Sequence, residues 1–236
     1  MLRERSLSQA IKRLSPYSTC DVADALSRLN HRRGGFLPGI SLHSPSFQSG
    51  DTKIIGPAHT VKFELNREKG ARPWVTGHYI DHTPPGCVLL LAGPRGVANA
   101  IYGGIMTARA AKLGAVGTVI SGRLRDIQEH RDAAFPVFAR GVGTTAGGSV
   151  CFASTIGEPV VLQTSLEGVE HESTVHPGDV IVGDANGVVC VPSELAEEVA
   201  KLVPELAKVD AECLDDVKMG RTVTETFEKR RGRLSC

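Results

Sequence analysis

The sequence predicts an α/β protein in which helices pack around a mixed sheet. Three observations carry that expectation. Residues 87–92 (CVLLLA) form an unbroken apolar run, which fits a strand covered on both faces. A helical stretch and a second apolar run at 116–120 follow it, and this order predicts a right-handed parallel crossover. Further on, Asn186-Gly187 lies between two apolar runs and predicts an antiparallel hairpin.

Taken in order, Leu7, Ala10, Ile11 and Leu14 recur at helical spacing, and Pro16 ends that helix. Ser18 or Thr19 can cap a second helix with Val22, Ala25, Leu26 and Leu29 on its apolar face, so the N-terminal helices cover about 7–30. Residues 30–52 hold several Gly, Pro and Ser and show no period, which predicts a loop. Residues 53–63 (KIIGPAHTVKF) read as a strand broken at Gly56-Pro57. Gly93-Pro94-Arg95-Gly96 is a turn, and Gly114 closes a helix over about 105–113. A short strand at 136–138 enters the glycine-rich stretch 141–148, read as a plain connection. Strand-like runs follow at 150–153, 159–162, 179–182 and 188–191. Ser193 is placed to cap a helix through about Val209, and a last helix covers about 222–229, so the C-terminal helices occupy about 193–230. No long linker and no internal repeat interrupts the chain, which is expected to form one domain over 1–236.

Composition narrows the function classes. Apolar residues make up 41% and charged residues 22%, and the net charge is +1, so no global field points to nucleic acid or a membrane. The one dense basic cluster, Lys229-Arg230-Arg231-Gly232-Arg233, lacks interleaved aromatics and is expected to be a solvated tail. Cys20, Cys87, Cys151, Cys190, Cys213 and Cys236 form no CxxC pair, which predicts reduced thiols in a cytoplasmic setting and no thiolate zinc site. No secretory leader and no membrane-spanning stretch is expected. His78 and His82 are four apart but followed by Pro84-Pro85, Ser121 lacks a GxSxG setting, and Arg95 is read as part of a surface turn.

The richest segment is 103–126, GGIMTARAAKLGAVGTVISGRLRD. Gly103 and Gly104 stand where a helix begins, and the first N–H groups of that helix, from Gly103 through Ile105 to Met106, lack intrahelical partners. A carboxylate placed there gains hydrogen bonds and the helix dipole. Arg125 and Asp126 follow the second apolar strand, and loops at the carboxyl ends of strands are where open α/β sheets bind ligands. Arginine offers a planar fork for a carboxylate, and aspartate a hard oxygen for Mg²⁺ or Mn²⁺. Taken alone, each pair also reads as a tight turn or a solvated loop.

The runs Gly103-Gly104-Ile105-Met106-Thr107-Ala108-Arg109-Ala110 and Ser121-Gly122-Arg123-Leu124-Arg125-Asp126 resemble the RraA-like family. So do Gly56-Pro57-Ala58-His59-Thr60-Val61, Phe135-Pro136-Val137-Phe138-Ala139-Arg140-Gly141 and the late hairpin. That family includes class II 4-hydroxy-4-methyl-2-oxoglutarate aldolases, which also decarboxylate oxaloacetate, and the regulator of ribonuclease E activity A. The resemblance implies an α/β/α sandwich of the swivelling-domain type, assembled as a homotrimer or hexamer with sites at subunit interfaces. It implies that the amides of Gly103, Gly104, Ile105 and Met106 hold a pyruvyl carboxylate, that Arg125 binds substrate, and that Asp126 holds a divalent metal, Mg²⁺ or Mn²⁺, mostly through its waters. The implied activity is a metal-dependent lyase acting on small 2-oxo acids. The alternative is a non-catalytic, protein-binding ring like the ribonuclease regulator. Characterised aldolases of the family often carry Asp or Glu at the position of Gly104; Glu129, Asp132 or a neighbouring subunit is the expected substitute here. A methyltransferase reading lacks a glycine-rich nucleotide loop after the first strand.

Overall fold

A computed structural model describes residues 2–66, 76–166 and 168–232; Arg233 and Cys236 lie outside that range. The chain begins with helix α1 (Leu2–Leu14) and helix α2 (Thr19–Arg28). Ser18 caps α2 through a reciprocal pair: its hydroxyl accepts the Asp21 N–H at 3.2 Å, and the Asp21 carboxylate accepts the Ser18 N–H at 2.8 Å. Strand β1 (Ser41–Ser44) follows, inside the stretch expected to be a loop. Its three polar residues, around the buried Leu42, become a strand because β6 (Val137–Val142) supplies an antiparallel partner.

Strand β2 (Ile54–Leu65) runs unbroken through Gly56-Pro57, against expectation. What changes there is the partner. Residues Ile54 to Pro57 pair antiparallel with β10 (Val180–Asp184), and Ala58 to Lys62 pair parallel with β3 (Val88–Ala92). Gly56 is required at the crossing, since a Cβ would lie 2.7 Å from the Gly86 carbonyl oxygen.

The short strand β4 (Ala100–Tyr102) leads into α3 (Gly104–Leu113), and β5 (Gly117–Leu124) comes back parallel to β3. Gly114 closes α3 in the left-handed region at φ +85°. Helix α4 (Ile127–Asp132) joins β5 to β6. Then come β7 (Cys151–Ile156), the hairpin β8 (Val160–Leu166) and β9 (Val169–Val175), and β10 paired with β11 (Gly187–Val191) across Ala185-Asn186. Helices α5 (Ala196–Lys218) and α6 (Val223–Arg231) finish the fold.

Among the described residues nine strands form one mixed sheet in the order β1-β6-β5-β3-β2-β10-β11, with β4 on β5 and β7 on β2. The Leu37 N–H donates to the Val188 carbonyl at 2.9 Å, so the segment entering β1 meets β11 and the sheet nearly closes on itself. Strand β3 is buried along its whole length and serves two cores. Leu89 and Leu91 face Ile120, Leu124 and Tyr102 beneath α3, while Val88 and Leu90 face Ile54, Phe138 and Ile181 inside the curled sheet. A third core packs α1, α2 and α5 on β10 and β11 through Leu14, Leu26, Val182, Val189 and Val199.

Ser193 is not a cap. Its N–H donates to Asp179 at 3.0 Å, and α5 starts at Ala196 without a side-chain cap. Helix α5 also runs nine residues past Val209. That last part is acidic rather than amphipathic, and α6 holds it by charge. Arg230 reaches Asp216 at 2.8 Å and Glu212 at 2.7 Å, and Arg231 reaches Asp210 at 2.5 Å. The basic cluster expected to be a solvated tail is therefore a clamp as far as Arg231. The described cysteines Cys20, Cys87, Cys151, Cys190 and Cys213 are free thiols. No helix among the described residues is long and apolar enough to cross a membrane.

Candidate active site at the start of α3

Strands β4 and β5 end side by side, and the site lies beyond those ends. The Arg125 N–H donates to the Tyr102 carbonyl at 3.0 Å, extending the ladder by one residue. Asp126 then takes a left-handed conformation, φ 61° and ψ 47°, before α4 begins. Aspartate tolerates that region better than most residues, but the position is still costly and marks a turn held by its surroundings. The turn aims the carboxylate at α3. Asp126 Oδ2 accepts the Gly104 N–H at 3.0 Å and lies 3.4 Å from Arg125 Nε.

Both glycines are dictated by close neighbours at this helix start. A Cβ on Gly103 would stand 2.6 Å from Asp126 Oδ2, and one on Gly104 would stand 2.6 Å from the Glu129 Cβ. A side chain at 104 and Glu129 in its present place thus exclude one another. Of the two substitutes read from the sequence, Glu129 abuts this helix start, whereas Asp132 is taken up by Gln128 at 2.7 Å.

A buried chain of polar groups lies beneath. His130 is fully buried, and its Nε2 donates to the Arg125 carbonyl at 2.7 Å. That bond fixes the tautomer, because a carbonyl only accepts. Nδ1 lies 2.8 Å from the Thr107 hydroxyl, which is 3.0 Å from the Tyr102 hydroxyl, itself 3.0 Å from Thr118. Burial pushes His130 below its ordinary value, outweighing the Arg125 carbonyl and the charges of Asp126 and Glu129. Burial also pushes Tyr102 up to about 12, so the chain is neutral near pH 7. These groups tie α3, α4 and the ends of β4 and β5 into one support for Arg125 and Asp126.

The side chains open on a cavity of about 410 Å³. Gly103, Ile105, Met106, Arg125 and Asp126 line it, while Gly104 serves it through its N–H to Asp126. Arg125 and Asp126 are 39% and 31% exposed, so both remain open to a ligand. The helix start is less free than the sequence implies. The Gly104 N–H is taken by Asp126, and the Met106 N–H donates to the Gly103 carbonyl at 3.0 Å, leaving Gly103 and Ile105 as the donors this end can offer. The opposite wall, Phe63, His78, Tyr79 and 151–153, was not legible in the sequence, since it comes from β2, β7 and a turn far along the chain. Ala146, Gly147 and Gly148 also line the cavity, so the stretch read as a plain connection borders the site.

For a metal, the geometry offers one carboxylate. Among the described residues no group of three His, Cys, Asp or Glu side chains converges as a ligand set. Mg²⁺ commonly takes one or two carboxylates and keeps several waters, and Asp126 Oδ1 is the oxygen not already engaged by Gly104 and Arg125. The donor set therefore fits a hydrated hard cation and does not fit a tightly caged one.

The sequence profile of the RraA-like family, described as Aldolase/RraA, matches residues 19–190. The chain belongs to the RraA-like family. It is 28% identical over 208 residues to a Halalkalibacterium halodurans protein named "Putative 4-hydroxy-4-methyl-2-oxoglutarate aldolase", covering 88% of this chain and 85% of that protein. A protein of the same name from Albidiferax ferrireducens is 32% identical over 189 residues, 76% of this chain and 97% of that one. Protein DlpA of Legionella pneumophila is 25% identical over 97% of this chain, which spans only 35% of DlpA. Among solved structures, an uncharacterized protein from Pseudomonas syringae pv. tomato superposes with a TM-score of 0.74 at 27% identity, covering 93% of this chain and 96% of that one. RraAS2 of Streptomyces coelicolor, an RraA-family member, superposes at 0.69 with 24% identity over 91% and 98%, which speaks to the fold alone.

Proposed function

We propose that this protein is a divalent-metal-dependent carbon–carbon lyase. It forms pyruvate as its enolate, by retro-aldol cleavage of a 4-hydroxy-2-oxo dicarboxylic acid, by decarboxylation of oxaloacetate, or by both. The observation that carries this reading is the meeting of Arg125, Asp126 and the start of α3 on one cavity, in a family with relatives named as aldolases.

Each residue has a task that follows from its chemistry. The N–H groups of Gly103 and Ile105 receive the substrate's C1 carboxylate at the positive end of α3. The Arg125 guanidinium lies where negative charge develops on the 2-oxo oxygen and stabilises it. Asp126, oriented by its bond from the Gly104 N–H, is the residue that would hold Mg²⁺ or Mn²⁺. When bound, the cation supplies Lewis-acid polarisation of the 2-oxo carbonyl. Decarboxylation needs no base, whereas aldol cleavage needs one for the C4 hydroxyl. Glu129, whose stem abuts Gly104 at the start of α3, is the carboxylate assigned to that role. Assembly as a trimer or hexamer belongs to the same proposal, and Ile105, 77% exposed at the cavity mouth, is an apolar side chain that a neighbouring copy would cover.

The test is pyruvate formation from oxaloacetate with Mg²⁺ or Mn²⁺, repeated with chelator and with Asp126→Ala. The expected outcome is metal-dependent turnover that falls about 10²–10³-fold in the variant. Equal turnover with chelator, or an unaffected variant, rejects the reading. A second reading, a non-catalytic protein-binding ring, is favoured by one observation, the single carboxylate where a ligand cluster is absent among the described residues. Under it, neither oxaloacetate nor 4-hydroxy-4-methyl-2-oxoglutarate is turned over with either metal.

A further inference from the structure

A second cavity, about 330 Å³, lies at the carboxyl ends of β3, β5 and β6 and, among the described residues, shares no lining residue with the first. Three arginines reach it from three elements: Arg95 from the turn after β3, Arg123 from β5 and Arg140 from β6. Among the described residues no Asp or Glu lines it. Their partners are unequal. Arg95 pairs with Glu170 at 2.7 Å, outside the lining. Among the described residues Arg123 donates to the Val142 carbonyl alone, at 2.9 Å. Arg140 donates through Nε to the Ser121 hydroxyl at 3.1 Å, and among the described residues no carboxylate lies within ion-pair distance of it.

Gathering like charges without counter-charge works against the folded state. The strain registers on Arg140, which burial and the nearby Arg95 charge push below its ordinary value. The architecture nevertheless makes room for the cluster. Gly141 and Gly143 lie under Arg123, and a Cβ on Gly141 would stand 3.2 Å from its Nη1. Gly93 and Gly122 also line the cavity. The position also matters, because the carboxyl ends of parallel strands are where sheets of this kind bind ligands.

We propose that Arg95, Arg123 and Arg140 form a second anion-binding site, separate from the Asp126 cavity, for a small oxyanion carrying two negative charges. Guanidinium forks suit carboxylate and phosphate alike, so the shared chemistry is a compact dianion. Ser121 adds a hydroxyl next to Arg140. The site stands apart from the lyase reading, since binding is measured without turnover.

The experiment is calorimetric titration of the full chain with malonate and, separately, with inorganic phosphate, against chloride at equal ionic strength. The proteins are wild type, Arg140→Gln, Arg140→Lys, Arg123→Gln and Arg125→Gln. Saturable binding of at least one dianion is expected in wild type and in Arg125→Gln. Affinity is expected to fall about tenfold or more in Arg140→Gln and Arg123→Gln, with partial retention in Arg140→Lys. Preference for malonate assigns a carboxylate ligand, and preference for phosphate assigns a phosphorylated one. The proposal is overturned by any of three results: no saturation below about 10 mM, affinity unchanged in Arg140→Gln and Arg123→Gln, or binding abolished by Arg125→Gln, which puts the anion in the other cavity. Sedimentation gives a further check. An Arg140→Lys protein that is folded but loses its assembly, with no dianion bound by wild type, assigns the cluster to a neighbouring copy and also overturns it.

Discussion

On α6, Arg230 reaches Asp216 and Glu212, and Arg231 reaches Asp210; at the ends of β5 and β6, Arg123 has a main-chain carbonyl and Arg140 a serine hydroxyl. Both regions are rich in arginine. In the first, each described guanidinium is spent on holding two helices together. In the second, forks stay open toward a cavity, and Arg125 beside Asp126 is a third case, 39% exposed and facing a ligand-sized space. The contrast teaches that charge density alone does not separate a structural arginine from a binding one. What separates them is whether the fold already supplies the counter-charge.

The largest effect expected of any single change outside Asp126 comes from Gly103→Ala. The added methyl meets Asp126 Oδ2 at 2.6 Å and pushes the carboxylate off the Gly104 N–H. Turnover in the proposed reaction should drop about 10²–10³-fold, at a stability cost of about 1–3 kcal/mol. Gly148→Ala is the control. It lines the same cavity, but its Cβ would meet nothing within 4 Å, so activity and melting temperature should stay near wild type. If both variants behave alike, the contact between Asp126 and α3 does not organise the site.

A second effect sets the two arginine groups directly against one another. Arg230→Gln strips the chief partner from Asp216, whose side chain is only 2% exposed, and should lower the melting temperature at pH 7. Arg140→Gln removes a cation that has no carboxylate partner among the described residues and sits near Arg95, and should leave the melting temperature unchanged or raise it. The hydrogen bond from Arg230, with Arg221 and Lys229 nearby, holds Asp216 below the usual carboxylate range. A depressed carboxylate gives stability that is present above its unfolded pKa, about 4, and is lost as pH falls through the folded value. Melting curves of wild type and Asp216→Asn should therefore differ at neutral pH and converge in acid. Curves that stay parallel down to about pH 2 would show that the clamp does not depend on that charge.

Much of this contrast was readable before the structure, and the unread part has physical causes. The segment 103–126 announced itself because glycines, a helix start and an Arg-Asp pair lie within one crossover. Buried strands such as β3 show as apolar runs, and the β10–β11 hairpin shows through Asn186-Gly187, although its turn falls one residue earlier, at Ala185-Asn186. Strand β9 did not show, because VEHESTV is exposed over most of its length and is a strand only through its pairing with β8. Helix α4 did not show, because six residues without an apolar face carry no period; its role lies in placing His130 under Arg125. The acidic end of α5 and the basic α6 each read as solvated when taken alone. Their meaning is a contact between them, which no local window contains.

The smallest effect belongs to Arg95, and it is the most discriminating. Arg95 shares features of both groups: it is paired with Glu170, and it lines the cavity of the unneutralised arginines. Both members of that pair are about half exposed, 50% and 53%, so the pair itself is worth about 0–1 kcal/mol and should weaken further in salt. Arg95→Gln should therefore shift stability by little, and removing its charge relieves Arg140 of one repulsion. If dianion affinity falls while stability holds, Arg95 acts with Arg123 and Arg140, and the pair with Glu170 serves to hold its stem in place. If stability falls and dianion affinity holds, Arg95 belongs with the arginines of α6, and the second cavity is built by two guanidinium groups rather than three.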